Sequence, residues 1–469
     1  MPSTFSGLEI GRRALLTSQK ALEITSHNMA NAGTPGYSRQ VPTISATAPY
    51  TYPIFNREKS AGQIGTGVDI TSINRVRDQL LDDQIQRESS SLGQWAAMRD
   101  MLDQVERTLN EPSDSGIRAA VDEFWSAMQD LSTKPNDTPT RAALVQQTMT
   151  MTDQIRQSYQ GLKTLRSDIN DRIAAQVEEI NGYAKELAEL NDQIGKINIQ
   201  GDQPNDLLDR RDEVLEKLSS IVNIRTTYDA QNRVTVTVGG RSLVYGNQCS
   251  SMITVRNEND PSASEIRWEG LTDPAAREVN ISSGSLQGLL TVRDEKIPQM
   301  LNNLDQYAKA LITNVNSVHQ KGIGLDGSTN MNFFEGTGAS DIRLAEVIED
   351  NPQRIAASAS GASGEGAIAL EMAALKQKPI LNGNTVTMGS FFAGVIAELG
   401  IDSNTAKTKA NNQALLIDHL SEKRESISGV SLDEEMTNMI QFQHGYNAAA
   451  KIISTMNELL DVIINRLKI

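Results

Sequence analysis

The chain ends in LDEEMTNMIQFQHGYNAAAKIISTMNELLDVIINRLKI (432–469), where an apolar side chain recurs at every seventh position: Leu432, Met439, Tyr446, Ile453, Leu460 and Leu467. Four residues after the first five stand Met436, Gln443, Ala450, Asn457 and Ile464, and no proline interrupts the run. This spacing predicts a long helix with a coiled-coil seam through Leu432, Met436, Met439, Tyr446, Ile453, Leu460, Ile464 and Leu467. The other end of the chain carries a matching seam of Leu8, Leu15, Leu22 and Met29. Its alternate positions, Gly11, Ser18 and Thr25, are small enough to let another helix approach closely. One seam at each end predicts that the N- and C-terminal helices pair as a coiled coil.

The composition bounds the rest. With 469 residues, 38 % hydrophobic and only 4 % aromatic, the chain must bury Leu, Ile, Val, Met and Ala, the palette of long helices. A net charge of −15 argues against nucleic acid or an anionic membrane as partner. That charge lies in the middle: residues 1–40 hold four basic and two acidic groups, and residues 432–469 hold three and five. The ends can therefore pack without net repulsion. The one cysteine, Cys249, allows no disulfide within the chain. No window resembles a cleaved signal peptide or a membrane span.

Read in order, Ser3 or Thr4 caps a helix that Gly33-Thr34-Pro35-Gly36 stops. Apolar stripes then predict helices up to Pro112, up to Pro135, and from a cap at Thr138, with Pro139 at the first helical position and no further proline, to Gln200. The charges of 205–221 read as a solvated face on a short helix with Asn205-Asp206 at its start. The period then drops to two. Val234–Val238, a Gly239-Gly240 turn and Leu243–Tyr245 predict a hairpin, followed by short strands at 252–255, 266–268 and 279–281. Helix returns after Gly284, with Pro298 expected to kink it, and again near 367–377, 388–399 and 403–428. The fold class is mainly α with a small inserted β domain, in an elongated multi-domain protein. Its parts are a terminal coiled-coil domain (1–33 plus 430–469), a linker or irregular hairpin (34–75), a long-helix bundle (76–224 plus 284–429) and the β domain (225–283).

One segment is more specific. Ala30-Asn31-Ala32-Gly33-Thr34-Pro35-Gly36-Tyr37-Ser38-Arg39-Gln40 resembles the N-terminal signature of the bacterial flagellar axial proteins, the rod, hook and hook–filament junction family. Asn31, Thr34, Pro35, Gly36, Tyr37, Ser38, Arg39 and Gln40 carry that likeness. The residues from Glu434 to Thr455 resemble the C-terminus of the same family. Asp206–Asp212, Gly284–Leu290 and Asn332-Phe333-Phe334 are most similar to its junction members. The resemblance implies a structural protein that self-assembles into the axial tube through its terminal helices. It also implies contacts with hook protein and a second hook–filament junction protein, and an export chaperone at the C-terminus. Type III export without a cleaved signal peptide, and an extracellular place in the flagellum, are part of the same implication. The insert is modest, so an outer domain of some relatives is expected to be reduced. The alternatives are another axial protein, hook or rod, or an enzyme domain carried on an axial scaffold.

Against the last stands the absence of convergent chemistry. His27, His319, His419 and His444 are scattered without a second ligand at metal spacing. Gly322–Gly327 fits a dinucleotide pattern but follows a helix, and Asp326, Ser328, Asn330 and Asn332 imitate a calcium loop that lacks its glycine and its closing glutamate. The expectation is no catalytic site, no metal and no cofactor.

Overall fold

Two long helices, α1 (Ser6–Ala30) and α11 (Leu432–Asp461), lie side by side, so the ends of the chain do meet. The computed structural model describes residues 5–48, 65–111, 113–257, 260, 262–271, 273 and 277–466. Gly7 faces Met456, Gly11 faces Ile453 and Ile452, Ser18 faces Gly445, and Asn28 reaches Glu435. Partner numbers fall as residue numbers rise, so the pair is antiparallel. A Cβ on Gly11 would stand 3.0 Å from Ile453 Cγ1 and 3.3 Å from Ile452 Cγ2, which explains glycine at that close approach.

The contact on α11 uses a different companion column from the one the heptads suggest. Glu435, Phe442, Ala449 and Met456, three residues on from Leu432, Met439, Tyr446 and Ile453 rather than four, turn toward α1 or are shielded beside it. Ile453 is half-buried directly on Gly11, while Met439 and Leu460 lie half-buried beside this contact, as do Leu8, Leu15, Leu22 and Met29 on α1. Leu432, Met436, Tyr446 and Ile464 remain 52, 50, 36 and 69 % exposed, and Leu467 lies outside the described residues. Small residues let the backbones come close, and a close contact is narrow, so the large side chains are left on its flanks.

A hairpin of β1 (Gln40–Ala46) and β2 (Val68–Arg75) connects this pair to the body; its register shifts between Thr43 and Ile44. Thr17 Oγ1 donates to Val68 O at 3.3 Å, holding the hairpin against α1.

The body is built on α2 (Gln79–Leu109), α3 (Ile117–Thr133), α4 (Thr138–Gln200) and α5 (Asn205–Ile221). The 63 residues of α4 span about 95 Å at 1.5 Å per residue. Its cap is Asp137, whose carboxylate accepts from Thr140 N at 3.0 Å, rather than the expected Thr138. Strands β3 (Arg225–Tyr228), β4 (Val234–Val238), β5 (Arg241–Tyr245) and β6 (Gln248–Cys249) form an antiparallel meander, and β7 (Met252–Arg256) pairs with β8 (Ser264–Trp268). Gly239 and Gly240 turn β4 into β5 at φ of +57° and +86°, the left-handed pair that a two-residue hairpin turn demands. Residues 279–281 form no strand; only Glu278 bridges to Arg267. The strands share one continuous core with the helices, in which Val234, Val244 and Trp268 pack with Ile180, Leu187 and Ile194 of α4.

Helix α6 (Ser285–Thr291) runs through a π turn (Val292–Lys296) into α7 (Ile297–His319). The disturbance expected from Pro298 takes the form of that wider turn just ahead of it. Short strands β9 (Phe334–Glu335) and β10 (Arg343–Leu344) and helices α8 (Glu346–Asp350) and α9 (Ala367–Ala374) follow. Helix α10 (Met388–Ser428) is a single 41-residue element where two helices were expected. It passes Gly400 unbroken because it packs antiparallel along α2: Leu420 beside Leu81 and Ile85, Gln413 on Glu88, Lys409 over Trp95, Leu399 beside Leu102. Such tertiary packing outweighs the roughly 1 kcal/mol that one helical glycine costs.

Candidate functional site

The two chain passages between the terminal pair and the body converge on one polar joint, and the signature residues 37–40 are its centre. Helix α1 ends at Ala30, where Asn31 Nδ2 donates to His27 O at 3.0 Å and Thr34 Oγ1 donates to Asn31 Oδ1 at 3.3 Å. Pro35 is exposed, and Gly36 takes φ of +81°, which reverses the chain. Tyr37 Oη then donates to Asn28 Oδ1 at 2.8 Å and lies 3.0 Å from His27 Nδ1. Burial, with Asp206, Asp209 and Glu435 nearby, raises the Tyr37 pKa and keeps the phenol a neutral donor.

Ser38 is buried on Asp209 of α5. Its N–H donates to Asp209 Oδ2 at 3.1 Å and its Oγ to Oδ1 at 2.7 Å. Arg75 donates to both Asp209 Oδ1 (2.7 Å) and Asp212 Oδ2 (3.0 Å). Arg77 binds Asp82 at 2.6 Å and Ser38 Oγ at 3.0 Å, and Arg211 binds Asp212 at 3.0 Å. Three guanidiniums thus meet three carboxylates in a nearly dry site, a balance that buried charge requires. Burial opposes the charge of Asp212, but Arg211, Arg75 and Arg77 outweigh it and hold the carboxyl below its usual range.

Arg39 reaches the other terminal helix, donating to Glu434 at 2.6 Å, while its backbone N–H donates to Ser428 O at the end of α10. Gln40 Nε2 donates to Asp206 at 2.9 Å, and Asn205 Nδ2 donates to Gln40 Oε1 at 3.1 Å. Asn205 and Asp206 therefore serve the joint instead of capping α5. The solvated-face reading of 205–221 is corrected as well. Arg210 and Lys217 do stay at the surface with Glu213, whereas Asp209 and Arg211 are buried because α5 presents them to the joint.

One of the most connected side chains of the joint lies outside the signature segment. Asn28, 1 % exposed, accepts from Gln40 N and Tyr37 Oη and donates to Gln40 O and to Glu435 Oε2. Its signal in the sequence was a polar residue beside the apolar face of α1, three places past Thr25. Asp209 and Glu435 were also missed as joint residues; a buried acidic partner cannot be read from one strand of sequence.

The terminal pair supplies the second half of the site. Outward-facing apolar residues on α11 and on the π turn that continues it (Val462–Arg466) fall into two short stripes, Leu432, Met436 and Ile440, then Leu459 and Ile463. Exposed stripes of this kind mark surfaces that another molecule covers.

The histidines stay apart. His319 is buried, with Nδ1 donating to Met331 O at 2.7 Å and Nε2 accepting from Ala356 N at 2.9 Å, so both ring nitrogens are consumed in holding loops together. Asp326 accepts from Ser328 N at 3.0 Å and pairs with Arg354 at 3.3 Å in a closed polar turn. Among the described residues no three His, Cys, Asp or Glu side chains are grouped to hold a metal.

Comparison with known proteins gives a consistent answer. Residues 102–334 match the family model described as the flagellar hook-associated protein FlgK helical domain. Residues 8–37 match the flagella basal body rod protein model, and 423–467 match the C-terminal model of the flagellar basal body rod FlgEFG proteins. Flagellar hook-associated protein 1 of Bacillus subtilis (strain 168) is 34 % identical, covering 99 % of each chain. The chain belongs to the flagellar hook-associated protein 1 family. The Escherichia coli (strain K12) member of the hook-associated protein 1 family is 25 % identical over 96 % of this chain and 98 % of its own. That alignment runs over 545 positions against 469 residues here, so the relative carries segments this chain lacks. A solved structure titled as the flagellar hook junction protein FlgK from Burkholderia pseudomallei has a similar fold, with a TM-score of 0.67 over 74 % of this chain and all of that one at 16 % identity. The terminal models are shared with rod proteins, so the middle, 102–334, is what separates the hook-associated protein 1 family from them. Such proteins are structural parts of the flagellum.

Proposed function

We propose that this chain is a structural link at the hook–filament junction of a bacterial flagellum, assembled as a tube through its terminal helices. The observation that carries this reading is the exposure of Leu432, Met436, Ile440, Tyr446 and Ile464 on a helix whose partner within the chain is α1. Packing neighbouring copies around α1 and α11 would bury those side chains, each worth about 1.5–3 kcal/mol when fully removed from water. The seam residues Leu8, Leu15, Leu22, Met29, Leu432, Met436, Met439, Tyr446, Ile453, Leu460, Ile464 and Leu467 are then the assembly surface. In this reading the chain divides by task, with 1–33 and 430–469 assembling, 34–75 linking, 76–224 plus 284–429 forming the helical body and 225–283 the β part set into it. Hook protein and a second junction protein are its neighbours in the tube. An export chaperone covers the C-terminal helix beforehand, and the chain leaves the cell by the flagellar type III route without cleavage. It performs no catalysis. A strain deleted for this gene is expected to build hooks without filaments and to shed flagellin into the medium. Normal filaments on that strain would refute the reading.

A further inference from the structure

Segment 37–40 is held from two sides. Toward the terminal pair its partners are Asn28 and Glu434; toward the body, Ser38 is gripped by Asp209. Asp209 is itself fixed by Arg75, at the end of β2, and by Arg77, just before α2. The backbone that leaves α1 thus takes its position from a helix 171 residues away in sequence. Helix α5 does not need Asp209 in order to stay in place, because Leu208, Val214, Leu215 and Leu218 anchor it in the core.

We propose that Asp209 is a positioning residue: acting through Ser38, it sets the direction in which the α1–α11 pair leaves the body, and assembly depends on it although it lies outside the pair. The physical basis is a buried carboxylate taking an N–H and an O–H from one residue, an arrangement far more directional than apolar contact. Without it, the Ser38 N–H and two guanidiniums lose a shared acceptor, and segment 37–40 is held to the body by the softer bonds of Gln40 with Asn205, of Gln40 with Asp206, and of the Arg39 N–H with Ser428 O. The inference rests on the assembly role proposed above.

Hydrogen exchange on the full-length chain tests it, comparing wild type, Asp209→Asn and Ser38→Ala. Asp209→Asn keeps the shape and removes the charge; Ser38→Ala removes only a hydroxyl and cannot disturb α5. Protection at residues 37–40 and in the last two turns of α1 is expected to fall roughly ten- to hundredfold in both variants, the loss of one charge-assisted bond, with α2, α4 and α5 unchanged. Loss of protection across α5 and α2 would make Asp209 a merely structural residue and overturn the proposal. So would unchanged exchange, or a wild-type segment 37–40 that is already unprotected. If Asp209→Asn fails to fold, Ser38→Ala alone must give the stated pattern. Filament retention is scored separately in cells: a loosened joint that still retains filaments overturns the dependence of assembly on Asp209. A deletion strain with normal filaments would instead refute the proposed function and leave the exchange result standing.

Discussion

Asn28 and Gln40 pair as neighbours in a sheet would, although Asn28 lies on a helix. The Gln40 N–H donates to Asn28 Oδ1 at 3.0 Å, and Asn28 Nδ2 donates to Gln40 O at 2.9 Å. The same exchange recurs between Asn181 and Met252, between Asn191 and Val234, and between Asn316 and Phe334. A side-chain amide presents one donor and one acceptor with the spacing of a peptide group, so a helix can satisfy a strand that has no neighbour. Among the described residues, four helix-to-strand seams are closed in that way.

Replacing Asn28 with Ala leaves two backbone groups of Gln40 unpaired in a buried site, a loss of roughly 2–4 kcal/mol. The Asn28→Ala variant is expected to lose filament retention while the melting of the body is little changed. Asn31→Ala, which gives up bonds at a more open helix end, should be much milder. A more severe Asn31→Ala phenotype would show that the pin is misplaced.

His319 is held neutral. Burial lowers its pKa from 6.5 to about 4, and the Met331 carbonyl only partly offsets this. A folded-state pKa below the unfolded one means that the unfolded chain binds the proton first. The stabilisation is therefore complete above about pH 6.5 and is lost as pH falls toward 4, by roughly 3 kcal/mol. Urea unfolding at pH 7 and 4.5 should show this slope in wild type and less of it in His319→Gln, with the variant also less stable at pH 7. Equal slopes would contradict the assignment. For the same reason His319→Ala tests folding, and has no bearing on catalysis.

Much of this architecture is legible in one sequence because its signals are local. The terminal pairing, α4 with its one proline confined to the first turn, and the Gly239-Gly240 hairpin all follow from periodicity and turn chemistry within a few residues. What was not legible depends on partners far away. Two helices, 388–399 and 403–428, were expected where one runs unbroken, because α2 lies alongside α10 and holds it through Gly400. The column three residues on, Glu435 to Met456, competes with the one four residues on because 3.6 lies between three and four; the small residues of α1 choose it. The joint was half visible: 37–40 stood out as a motif and 206–212 as another, but nothing in either says that Ser38 sits on Asp209.

Gly11 is a point of close approach within the terminal pair, where an added Cβ would stand 3.0 Å from Ile453. Gly11→Val adds three carbons there and is expected to wedge α1 from α11, costing about 1–3 kcal/mol and abolishing assembly. Gly33→Ala, with nothing within 4 Å of its added carbon, should retain filaments. Swimming motility separates the two; an inert Gly11→Val would mean that this close approach is not used in the assembled state.

The central claim is that the outward apolar face of α11 joins copies together. Met436 is half exposed in the single chain, so Met436→Asp disturbs little within it and should leave helicity and melting unchanged. In a tube the same carboxylate would be buried without a partner in every copy, a cost of several kcal/mol each time. Glu458→Asp, which keeps the charge on the same helix, is the control. The direct measurement is the fraction of cells retaining filaments when each variant replaces the wild-type protein. The account predicts near-complete loss with Met436→Asp and near-normal retention with Glu458→Asp; normal filaments on Met436→Asp cells would contradict it.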